Sequence, residues 1–131
     1  MNITDTAMNT PELSVVVPVY NEAANIEALL ARLTPVLERV VASHEIIFVD
    51  DGSSDDTMET LRNVHAQDRR RRAVSFSRNF GKEIAIAAGL DHARGRAVVE
   101  VAGDPDPQVR ARLDALGEVA AERARAGDRA G

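Results

Sequence analysis

The sequence predicts an α/β domain: a parallel, Rossmann-like sheet with helices on both faces. Three observations lead there. Leu13–Val19 (LSVVVPV) is a nearly unbroken β-branched run, the mark of a strand buried on both faces. Beyond it the apolar period changes to steps of three and four, and this exchange of strand for helix recurs along the chain. The strand bodies are apolar, whereas every strand runs out into a polar or charged loop. Right-handed crossovers of such βαβ units make a doubly wound layer, in which ligands sit beyond the carboxyl ends of the strands.

Taken in order, residues 1–12 are polar, end near Pro11 and read as a flexible lead-in. In the first strand, Pro18 says that the strand stops there or lacks a hydrogen-bonding neighbour at that point. Ile26, Leu29, Leu30, Leu33, Val36, Leu37, Val40 and Val41 then mark an amphipathic helix of about five turns. Asn21 is its expected N-cap, with Glu22 complementing the helix dipole in the first turn. Glu45–Val49 is a second buried strand, ending in the turn-forming cluster Asp50-Asp51-Gly52-Ser53-Ser54-Asp55-Asp56-Thr57. A second helix follows to about Gln67, with Met58, Leu61 and Val64 inward. Arg72–Ser77 reads as a third strand, Phe80–Arg94 as a third helix closed by Gly95, and Ala97–Val101 as a fourth strand. Residues 13–101 therefore form the expected domain. Residues 102–131 are a tail rich in Ala, Arg, Gly and Pro, expected to be partly helical because Val109, Leu113, Leu116 and Val119 fall at helical spacing.

Composition narrows the function. With no Cys, the sequence excludes a disulfide scaffold, Cys-ligated zinc, iron–sulfur clusters and thiol catalysis. A net charge of −5 speaks against general nucleic-acid binding. No apolar stretch approaches the ~20 residues of a membrane span, and the N-terminus has no signal-peptide core; the expected location is cytoplasmic. His44, His65 and His92 are scattered and offer no metal-like spacing.

The expected site lies at the strand ends. Neither G-x-G-x-x-G nor a P-loop is present, so dinucleotide and P-loop chemistry lose their usual support. The carboxylates of Asp50 and Asp51 at a strand end suit acceptance of hydrogen bonds from a base or ribose. Helix capping is the stronger reading for Ser53 to Asp56, and ligand contact for Asp50, which sits too early to cap. Asp104 and Asp106 form a D-x-D pair able to share Mg²⁺ or Mn²⁺ beside a diphosphate, or else a Pro-stiffened turn before a helix. Arg78 and Lys82, flanking Gly81 at a helix start, suit a diphosphate or simply face solvent. The Arg69–Arg72 run, on the opposite sheet edge, reads as a solvated turn.

The segments SVVVPVYNEAANI, EIIFVDDGSSDDT and FSRNFGKEIAIAAGLDHARG, in that order, resemble the inverting family 2 glycosyltransferases. The resemblance covers residues 13–101 and is nearest to the branch that passes a hexose from a UDP- or GDP-sugar to a polyprenyl phosphate, of the bactoprenol glucosyltransferase or dolichyl-phosphate mannosyltransferase type. It implies the nucleotide-binding half of a GT-A fold. Pro18, Tyr20 and Glu22 would line the nucleotide, Val49, Asp50 and Asp51 would hold the base and ribose side, and Arg78 and Lys82 would lie beside the diphosphate. It also implies a divalent cation, Mg²⁺ or Mn²⁺, at the D-x-D motif. Here that motif departs from the family pattern: aligned without gaps, Ala102 replaces its first Asp, and a two-residue slip instead pairs Asp104 with Asp106.

The resemblance further implies an acceptor-binding half with a catalytic base, and in many members membrane helices, for which residues 102–131 leave no room. Ala, Arg, Gly and Pro are the residues of GC-rich codons. The expectation is therefore a truncated or frame-shifted form with little transferase activity, an intact homologue acting on its lipid phosphate at the cytoplasmic membrane face. The alternative is a non-catalytic nucleotide-binding or interaction module. In either case the fourth strand would present an unpaired edge, and self-association through that edge is expected.

Overall fold

The computed structural model describes residues 10–101; the lead-in before Thr10, the tail expected to be partly helical and the D-x-D pair Asp104/Asp106 lie outside them. Within this span the chain runs β1 (Leu13–Val19), α1 (Ala23–Val40), β2 (His44–Asp50), α2 (Thr57–Gln67), β3 (Arg71–Ser75), α3 (Lys82–His92) and β4 (Ala97–Glu100). The strands form one parallel sheet in the order β3-β2-β1-β4. This is the expected α/β, Rossmann-like layer. Observed β2 is one residue longer at each end than the sequence suggests, while α3 begins two residues later, after Gly81.

Alternation along the strands assigns the two faces. Val15, Val17, Val19, Ile46 and Phe48 point to one side and pack against Ile26, Leu29, Leu30, Leu33 and Leu37 of α1 and Leu61 and Val64 of α2. Val16, Ile47 and Val49 point to the other, where α3 covers them through Ala85. A period of two in the strands thus meets a period of 3.6 in the helices on both sides. α3 lies close because Gly89 faces the sheet: a Cβ there would collide with the Val16 side chain and come within 3.2 Å of Val49 Cγ2.

Two features fix the sheet edges that bear on function. β1 pairs with β2 along its full length, from Leu13↔His44 to Val19↔Asp50, but with β4 only from Leu13↔Ala97 to Val16↔Glu100. The Val101 N–H donates to the Val16 carbonyl at 2.9 Å, so the main-chain groups of Val16, and two residues on those of Pro18, face β4. Proline has no N–H, and β1 has no donor for the next rung. The described β1–β4 ladder ends where the connections also change direction, since β1 leads outward to β2 and β3 while β4 returns on the other side. That is the topological switch point.

The opposite edge is held by a buried carboxylate. Glu45, 3% exposed, accepts the Ser14 hydroxyl at 2.6 Å, the Arg94 main-chain N–H at 2.7 Å and the Arg72 guanidinium at 2.7 Å. The Ser14 oxygen in turn accepts the Gly95 N–H at 2.8 Å, and a Cβ at Gly95 would lie 2.6 Å from that same oxygen. Strands β1, β2 and β3 and the turn into β4 are thereby tied at one point. Arg72 is thus a structural partner and not part of a solvated turn, and Arg70 pairs with Asp68 at 2.8 Å. Burial by itself pushes the Glu45 carboxyl up, but the Ser14 hydroxyl, the Arg94 amide and Arg72 outweigh it and hold it below the usual carboxylate range.

Candidate functional site

The carboxyl ends of β1, β2 and β3 bring together the residues singled out in the sequence. Tyr20 and Glu22 follow β1, Asp50 and Asp51 close β2, and Arg78 and Lys82 lie in the connection from β3 and the first turn of α3. Tyr20 is 46% exposed, and Arg78 and Lys82 are exposed as well. Val49 and Pro18 are different: both are buried, paired with each other across the β1–β2 ladder, and they form the floor beneath the loops. The Val49 side chain packs in the α3-side core.

The loops after β1 and β2 are bonded into one unit. Asn21 adopts a left-handed φ of 51°, a conformation that asparagine tolerates better than most residues. Its side-chain oxygen accepts the Ser54 N–H at 2.8 Å, while its own N–H donates to Ser53 Oγ at 2.9 Å. The Glu22 N–H donates to Thr57 Oγ1 at 3.1 Å and the Ala23 N–H to Asp55 at 3.4 Å. Asn21 is therefore not the cap of α1, as its position before an apolar period suggests; Glu22 holds that position, and the Asn21 side chain serves the neighbouring loop. Asp55 accepts the N–H and the hydroxyl of Thr57 at the start of α2, and the Thr57 hydroxyl is the main reason that its carboxyl is held below the usual range.

Both aspartates that end β2 have main-chain work. Asp50, 1% exposed, accepts the Ser53 N–H at 3.0 Å. That bond closes the turn at Gly52, where φ is 78°; the helix that follows starts at Thr57, with Asp56 at the cap position, so Asp50 does not cap it. Asp51, 5% exposed, reaches the other way: one oxygen accepts the Phe80 N–H at 2.8 Å and the other the Gly81 N–H at 3.1 Å. Arg78 lies over the Phe80 ring, 4.7 Å from its centre, and Phe76 meets the same ring edge-on at 5.5 Å. The connection that carries Arg78 and Lys82 is thus held at the end of β2 through its main chain. Sequence reasoning missed this contact, for which the paired acids and the Phe-Gly step were the available signals.

Metal binding finds no support among the described residues. No group of three His, Cys, Asp or Glu side chains there could hold an ion, and Asp50 and Asp51 are both engaged by N–H groups.

Comparison with known proteins adds a family to this geometry. The family model described as Glycosyl transferase family 2 matches residues 14–104. An uncharacterized glycosyltransferase of Synechocystis is 48% identical over 95 residues, covering 72% of this chain and 30% of that protein. An undecaprenyl-phosphate 4-deoxy-4-formamido-L-arabinose transferase of Aeromonas hydrophila is 38% identical over 105 residues, covering 79% of this chain and 31% of its own length. Among solved structures, a mannosyltransferase of Pyrobaculum calidifontis in complex with GDP-Man and Mn²⁺ superimposes with a TM-score of 0.68 at 28% identity, over 82% of this chain and 32% of that one. Glucosyl-3-phosphoglycerate synthase of Mycobacterium tuberculosis, with Mn²⁺, UDP and glucosyl-3-phosphoglycerate, gives a TM-score of 0.57 at 28% identity, over 76% of this chain and 36% of that one. The chain thus spans about a third of the length of the relatives it matches.

Proposed function

The chain belongs to glycosyl transferase family 2, and from that premise we propose that the crevice at the ends of β1 and β2 binds the donor, a UDP- or GDP-hexose. The reaction of the whole protein is an inverting transfer of that hexose to a polyprenyl phosphate at the cytoplasmic membrane face. An acceptor oxygen attacks the anomeric carbon as the bond to the nucleoside diphosphate breaks, in a single displacement.

The observation that supports this reading most is the bonded pair of loops 20–23 and 50–57 beside the β1–β4 switch point, the place where an α/β sheet takes a ligand. Tyr20 offers an exposed ring for a base. Ser53, Gly52 and the loop main chain offer polar groups, and Arg78 and Lys82 offer positive charge to a diphosphate. Groups fixed before the donor arrives lose little freedom on binding it. A Mg²⁺ or Mn²⁺ would neutralise charge on the departing diphosphate. By family resemblance its ligands are sought at Asp104 and Asp106, outside the described residues, and no catalytic base is assigned. Among the described residues no helix is long and apolar enough to cross a membrane.

Titration of the chain with UDP and GDP, alongside an assay of sugar transfer from UDP-glucose or GDP-mannose to polyprenyl phosphate with Mn²⁺, tests the reading. Saturable nucleotide binding supports the donor site. Turnover extends it to the whole reaction, whereas failure to bind either nucleotide removes the proposal.

A further inference from the structure

We propose that the apolar face between α3 and β4 is the seat of this chain's own tail: residues 108–119 lie along it as a helix, with Val109, Leu113, Leu116 and Val119 turned inward. The inference concerns the edge of the sheet and stands apart from the donor site.

Strand β4 is covered on one side. Ala97 and Val99 pack against the core that α1 and α2 cover, whereas Val98 and Glu100 point to the α3 side, in line with Ser14 and Val16, and both are exposed. Helix α3 sits over β1 and β2 instead, with Ala85 packed among Val16, Ile47 and Val49 and Gly89 pressed against Val16 and Val49. It runs antiparallel to the strands, so its right-handed turn carries Ile86 and Leu90, each one residue past that contact line, to the β4 side. Ile86 is half-buried, Leu90 is 50% exposed and Val98 39% exposed. An apolar helix flank and an apolar strand position thus meet solvent together.

The tail suits this face in reach, pattern and charge. It follows β4 directly, and residues 102–107 can span about 20 Å, more than the ~13 Å length of β4, so residue 108 can return over the strand. Twelve helical residues are about 18 Å long, which matches the eleven residues of α3. In a helix Val109, Leu113, Leu116 and Val119 share one stripe, Arg112 borders it, and Asp114 and Glu118 fall on the far side. Glu83 of α3 and Glu100 of β4, both exposed, stand on the receiving side. The tail therefore offers a cation to that surface and turns its own acids to water.

A second copy is the competing occupant, because β4 also ends the sheet. Dilution separates the two: a tail tethered by a short connection meets its seat at an effective concentration on the order of millimolar, whereas a second copy arrives by diffusion.

The sequence has no Cys, so cysteine pairs can be placed in the full 131-residue chain and oxidised at low micromolar concentration. Leu90→Cys is combined in turn with Leu113→Cys, Leu116→Cys or Glu118→Cys. At least one stripe pair is expected to close a disulfide within one chain about tenfold faster than the Glu118→Cys pair, at a rate that dilution leaves unchanged. Hydrogen exchange gives a second measurement without cysteines. Leu113→Asp/Leu116→Asp, placed in the tail and outside the described core, is expected to speed exchange of α3 and β4 amides about tenfold and to leave α1 and β2 unchanged. If a cysteine variant does not fold, the exchange comparison decides alone. Equal rates for the three pairs, disulfides that join two chains in place of one, or α3 and β4 exchange unmoved by the Asp substitutions overturn the proposal.

Discussion

Replacing Glu45 by Gln tests the claim that the amino edge of the sheet is held by one charge. The substitution keeps the volume and one carbonyl acceptor, but removes the negative charge that Arg72 and Arg94 face at 2.7 and 3.4 Å. It also sets an amide NH₂ against the other donors: the Ser14 hydroxyl at 2.6 Å and the Arg94 N–H at 2.7 Å both point at the same oxygen. Hydrogen bonds to a charged acceptor contribute about 1.5–3 kcal/mol each, and breaking a buried ion pair from one side costs roughly 3–5 kcal/mol. Because Arg72 and Arg94 remain partly solvated, the lower end applies, and Glu45→Gln is expected to cost about 2–3 kcal/mol at pH 7. The folded-state pKa of Glu45 is depressed, so its contribution is present above the unfolded carboxyl value of 4.5 and is lost as pH falls through the lower folded value. Denaturant unfolding at pH 7 and again near pH 3 should therefore show a gap between wild type and Glu45→Gln that narrows in acid. The site at the other end of β2 is about 17 Å away, so nucleotide affinity of the folded variant should be unchanged. A difference below about 0.5 kcal/mol at pH 7, or a gap that widens in acid, refutes the reasoning.

Three further outcomes follow from particular contacts. Gly52→Ala forces a Cβ into the Arg78–Asn79 main chain at a positive φ, and should cost about 2–3 kcal/mol in urea unfolding while weakening nucleoside diphosphate binding. Gly89→Ala gains helix propensity of about 1 kcal/mol but drives α3 off the stiff Val16 side chain; unfolding titrations should show net destabilisation of about 1–2 kcal/mol. The Asp68 carboxyl is lowered to about 2, first by its hydrogen bond to Arg70. Its stabilising share is therefore intact above about pH 4 and lost toward pH 2; with Arg70 half solvated, Asp68→Asn should remove about 1 kcal/mol of it, seen as a flatter acid limb in thermal melts.

Much of the layer was legible because it depends on near neighbours. The β-branched run of β1 and the spacing of Ile26, Leu29, Leu30, Leu33 and Leu37 report burial directly, whatever the rest of the chain does. The three segments quoted from the sequence likewise gave the family. Side-chain roles were less legible, since they depend on where the chain returns. Glu45 looks like a polar strand start, and its partners Ser14, Arg72 and Arg94 are 31, 27 and 49 residues away. Asn21 has the right type and place for a cap, yet its acceptor is taken by Ser54 and Asp55 across the loop. Asp50 and Asp51 look alike in sequence, and one turns to its own loop while the other turns 29 residues ahead.

Pro18 gives the crevice a property that no polar residue could supply. A cleft between hydrogen-bonded strands has to be prised open by whatever enters it, and the incoming molecule loses affinity by the energy of the broken rungs. Here the rung after Val16 is never formed, because the imino nitrogen has no proton to give. The missing donor at this rung is thus written into covalent structure, and no incoming molecule has to break a bond from Pro18 there.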